Sequence, residues 1–100
     1  MSENQEYDPI QARREEVAQY NANIAMYQTI LATLPTVWPD NLLEHRHPKK
    51  SHEAIDAVPT EHVQAVAELW YADELAHLIR TETLERTKAA AILAALETAE

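Results

Sequence analysis

The chain contains no glycine, no cysteine and no phenylalanine. Without glycine there is no Walker loop, no dinucleotide fingerprint and no nucleophile elbow, because each needs backbone that approaches a phosphate, or turns, more closely than a Cβ allows. Without cysteine there is no disulfide framework, no thiolate zinc site and no cysteine nucleophile, and nothing in the composition points to an oxidising compartment. The only serines are Ser2 and Ser51, so catalysis by a serine nucleophile has no support. The longest apolar run, Ala89 to Leu96, is far below the roughly 20 residues of a membrane-spanning helix. The stretch Met1 to Glu6 is polar and acidic, with no basic region followed by an apolar one, and a cytoplasmic location is expected.

What is present is 100 residues, 46% apolar and 25% charged, a size and composition suited to one small domain. Seventeen acidic against eight basic side chains give a formal charge of −9. That field repels nucleic-acid phosphates and anionic lipid, so neither direct nucleic-acid binding nor membrane binding is expected.

Five prolines, at positions 9, 35, 39, 48 and 59, divide the chain. Residues 1–7 read as a flexible tail and 8–34 as a first helix, with Asp8 as N-cap and Pro9 in the first turn. Within that helix Ile10, Val17, Ile24 and Leu31 recur every seven residues, and Tyr20, Tyr27 and Leu34 follow the last three by three positions, a heptad pattern. Arg13 takes the corresponding place in the first heptad, either as a solvated first turn or as a register-setting polar residue. Residues 35–59 form a Pro- and His-containing connector. Short helical turns are expected in it, one started by Trp38-Pro39-Asp40 and projecting Leu42 and Leu43, the other capped by Ser51 and projecting Ile55.

Residues 60–98 lack Pro and Gly and are rich in helix formers, which predicts a long helix with Thr60 as N-cap. At 100° per residue, Val63, Val66, Ala67, Trp70, Leu78, Ala89, Ile92 and Leu96 share one side, interrupted by Glu74, Thr81 and Glu85. A break near residues 81–83 is one way to resolve that interruption. The first helix would be about 37 Å long and the second about 57 Å. The mismatch leaves a surplus apolar stripe around Ile92, Leu93 and Leu96, which must fold back, meet the connector or meet another chain. The fold class is therefore all-α, a long helical hairpin or bundle, with homo-oligomerisation, most simply as a dimer, as the expected completion.

Glu74-x-x-His77 and Glu44-x-x-His47 have the spacing of carboxylate and imidazole ligands on one side of a helix, as in di-iron bundles. Pro48 directly follows the second pair and disfavours helix there. His45, Arg46, His47, Lys49, Lys50 and His52 form the one concentrated basic cluster, suited to an acidic partner, to the chain's own acidic helices, or simply to solvent. The aromatic residues Tyr20, Tyr27, Tyr71, Trp38 and Trp70 read first as packing.

The expected function is that of a small acidic protein–protein interaction module, an adaptor, assembly or regulatory factor, and not an enzyme. Its interaction residues would be Ile10, Val17, Tyr20, Ile24, Tyr27, Leu31, Leu34, Ile92, Leu93 and Leu96. A foreign protein partner is the other occupant such a stripe can take, and no cofactor is expected. Two alternatives belong to other classes: an acidic mimic of nucleic acid that occupies a DNA-binding protein, and a carboxylate and histidine metal-binding bundle.

Overall fold

The structure, a computed structural model, describes residues 7–46 and 56–99. Among these there are helices and turns and no strand. Helix α1 spans Pro9–Leu31, a single-turn helix α2 spans Asp40–Leu43, a 3₁₀ turn spans Thr60–His62, and helix α3 spans Val63–Ala99. The expected turn around Ser51 and Ile55 lies outside the described residues.

Helix α1 starts where the sequence places it. Asp8 is extended, and its Oδ1 accepts the backbone N–H groups of Ile10 and Gln11 at 3.0 and 3.2 Å. Pro9 sits where a backbone donor would have no helical acceptor. The helix ends at Leu31 rather than at Leu34, because the last N–H groups switch to carbonyls three residues back: Thr33 to Ile30 and Leu34 to Leu31. This tightening precedes Pro35, whose ring disfavours α-helical backbone in the residue before it. In the connector, Pro39 accepts from the N–H groups of Leu42 and Leu43, which forms α2 and buries Leu42.

Thr60 does not cap the long helix. It lies inside the 3₁₀ turn, started by the Pro59 carbonyl accepting from His62 N–H at 2.8 Å, and no side-chain cap is made. From Val63 the helix then runs unbroken through residues 81–83 to Ala99. Threonine costs a helix only a few tenths of a kcal/mol relative to Ala, roughly what one added intrahelical contact returns. Thr87 and Thr98 also turn their hydroxyls back onto the carbonyls of Thr83 and Ala94.

The two long helices are antiparallel. Arg14 bonds Glu97, Asn21 accepts from Arg86, and Asn23 donates to Glu82, so residue numbers rise on one helix as they fall on the other. Burial along α1 and the turn that follows it marks positions 10, 13, 17, 20, 24, 27, 31 and 34, all buried or half-buried, with spacing alternating between three and four. Along α3 it marks 72, 75, 79, 82, 86, 89, 93 and 96 in the same alternation. Each helix thus turns one heptad stripe to the other, as in a coiled coil.

This corrects the expected apolar face of the long helix. Leu69, Ala72 and Leu75 are buried, while Ala67, Glu74, Thr81 and Ile92 are exposed. A fixed 100° projection fails over this length for two reasons. A heptad stripe drifts about 20° per repeat around a straight helix, and the N-terminal turns of α3 face a different neighbour. There Leu42 and Val58 of the connector form a buried cluster with Val66, flanked by Trp38, Val63, Ala65 and Trp70. The indole N–H of Trp70 donates to the His45 carbonyl at 2.8 Å and ties the connector down. The unmatched length of α3 therefore lies at its N-terminal end, where the connector covers it. The Leu93–Leu96 end lies beside the first turns of α1, to which the Arg14–Glu97 pair ties it.

Leu69 is fully buried, so Leu69→Ala should cost about 2–5 kcal/mol in urea denaturation. Exposed Thr81→Ala should change stability by less than about 0.5 kcal/mol. Ile24 is 5% exposed in the seam between α1 and α3, so Ile24→Glu should abolish the cooperative thermal transition seen by circular dichroism.

Candidate interaction surface

The expected interaction residues are mostly spent within the chain. Ile10 and Ile24 are buried, and Val17, Tyr20, Tyr27, Leu31, Leu34, Leu93 and Leu96 are half-buried at heptad positions of the hairpin. Ile92 alone of the ten is exposed. The α1 stripe is thus the internal seam of the hairpin.

Midway along the seam the packing is polar. Glu82 and Arg86 occupy heptad positions of α3 and meet Asn23 and Asn21 of α1 at 2.8 and 3.0 Å. Tyr20 donates its hydroxyl to Glu16 at 3.5 Å, and Glu16 also pairs with Arg13 at 2.6 Å. Arg13 therefore completes a pair on its own helix, and the groups that tie the two helices at a set register are Asn21, Asn23, Glu82 and Arg86. Desolvation within the seam, then the negative charges of Glu16, Glu85 and Glu82, push the Tyr20 hydroxyl above its ordinary value of 10.0.

The basic connector divides. Arg46 bonds Asp73 of α3 at 2.9 Å, which docks this part of the cluster onto the chain's own acidic helix. The pair is partly exposed and adds little stability. The His45 side chain is largely covered and lies 3.9 Å from Glu44. His47, Lys49, Lys50 and His52 lie outside the described residues. Glu74, His77 and Glu44 are exposed, and among the described residues no group of three or more His, Asp or Glu is placed to hold a metal ion. Nor is any described helix long and apolar enough to cross a membrane.

The outward side of α1 is the feature that heptad reading passes over. Ala18, Ala22, Ala25, Met26 and Thr29 are exposed, with Met26 50% exposed. From Val17 through Pro39 the sequence has no Asp, Glu, Lys, Arg or His over 23 residues. That gap is legible in the sequence, but only by counting missing charges rather than apolar residues. On α3 the exposed large apolar side chains are Tyr71, Leu84 and Ile92, set among exposed Glu74, His77, Arg80 and Lys88. Compared with family models, with curated proteins and with solved structures, the chain matches none.

The raised Tyr20 value sets an alkaline signature. Below pH 10 both folded and unfolded chains keep this proton, and above it the unfolded chain releases it first, so stability falls as pH rises through 10 toward the folded value. Tyr20→Phe should therefore lose less stability than the native protein between about pH 9 and 11, read as midpoint against pH in urea titrations.

Proposed function

We propose that this protein is a helical interaction module, an assembly or regulatory factor rather than an enzyme, that works as a pair of hairpins joined in a homodimer. The observation that carries the reading is the excess of surface. The chain exposes 7061 Å², where a compact monomer of 11.4 kDa exposes about 5800 Å². Its radius of gyration is 20.0 Å, against about 13 Å for a compact domain of this length. A long two-helix layer, 61 × 29 × 23 Å, leaves each helix covered on one side. The excess of about 1300 Å² lies within the roughly 1000–2500 Å² that each subunit gives up in an obligate homodimer. Two hairpins stacked side by side make a four-helix bundle, the common way in which such layers complete a core.

Light scattering of the untagged protein across a dilution series is the test. A mass of twice 11.4 kDa that persists on dilution is expected. A mass of 11.4 kDa at every concentration would contradict the reading.

A further inference from the structure

We infer that the outward face of α1, from Ala18 to Thr29, is the surface on which a second copy of this chain packs. The inference rests on the self-pairing reading above and adds to it which surface does the pairing. Its ground is charge. In a chain that is 25% charged, a stretch of 23 residues would ordinarily carry about six charges, and Val17 to Pro39 carries none. The inner side of α1 needs no charge because it faces α3. Its outer side is exposed in the single chain, where surface helices ordinarily place charged residues. From Val17 to Leu31 the helix is uncharged on every side, which fits burial on two sides, while Arg13, Arg14, Glu15 and Glu16 confine its charges to the second turn.

The surface excess points to a second copy as the partner, and electrostatics selects the face it takes. A second copy brings another −9, so packing on most faces buries charges that must be matched or desolvated, as Glu74, Arg80, Lys88 and Glu97 would be on the exposed side of α3. On the outer side of α1 there is nothing to repel. Ala18, Ala22 and Ala25 follow each other by four and three positions, so they share one side. Such small side chains permit helix axes at the close end of the usual 8–10 Å range. Met26, half-exposed beside them, supplies an unbranched side chain that can adapt to its symmetry mate. A two-fold axis near Ala22 would bring identical faces together, with the charge-free segments of the two α1 helices in contact at the centre of the four-helix assembly.

The test uses the full chain with one double and one single variant. Ala22→Glu with Met26→Glu places carboxylates on exposed helix positions, so helicity by circular dichroism should be retained while the mass halves from the dimer value to 11.4 kDa. Leu84→Glu, on the outer side of α3, should keep the dimer mass. If the native protein is a dimer and the Ala22/Met26 variant remains one, the assignment of the face is overturned while self-pairing stands. A native protein that is a monomer throughout overturns both. Because the chain has no cysteine, a gentler probe removes any dependence on the fold of the charged variant. Ala22→Cys should form a covalent dimer on mild oxidation and Leu84→Cys should not. The reverse pattern, or none at position 22, overturns the proposal.

Discussion

One seam holds this molecule together, and its geometry constrains everything else. Two helices, of 23 and 37 residues, pack along matched heptad stripes that alternate steps of three and four. A stripe of this kind is narrow. It buries a handful of aliphatic side chains, none larger than leucine, and no polar side chain among the described residues is fully enclosed. The unequal lengths leave the first turns of α3 without a helical neighbour, and the connector supplies one through Trp38, Leu42 and Val58. Connector and α1 therefore share the work of covering α3, each over its own part.

How much of this was legible in the sequence depends on which physical signal is followed. The start of α1 was plain, since Asp8-Pro9 supplies both the side-chain acceptor and the preset backbone. The α1 stripe was equally plain, because Ile10, Val17, Ile24 and Leu31 are uninterrupted by charge at their positions. What periodicity could not tell is whom the stripe faces, because a heptad repeat pairs equally well with another chain or with another part of its own. The α3 stripe was misjudged because its middle is Glu82 and Arg86. A search for apolar positions steps around these two residues, turns to Thr81 and Glu85, and leaves a break there as one option. In the structure the polar pair is matched by Asn21 and Asn23, so the helix has no reason to end there.

The polar stretch of the seam and the charge-free stretch of α1 are complementary devices. Hydrogen bonds at Asn21, Asn23, Glu82 and Arg86 contribute less to stability than aliphatic packing would, but they are satisfied in one register and broken in others, which fixes the hairpin. With the register set, the outer side of α1 from Ala18 to Thr29 is presented as an uncharged strip on an otherwise acidic body. Distribution rather than total charge carries the assignment of the contact face. A uniform −9 surface favours solubility and dispersal, while a neutral strip within it permits contact at one place.

The hairpin requires α1 and α3 of the same chain to share the seam. The measurement that tests this most directly is the distance between spin labels at Arg14→Cys and Glu97→Cys in one chain, diluted into an excess of unlabelled protein so that only intrachain pairs report. In the structure these side chains touch at 2.9 Å. A single short distance, consistent with adjacent helices, is predicted. A long distance, with short ones recovered only when the labelled protein is undiluted, would mean that the helices pair between chains, and the account of the hairpin would be contradicted.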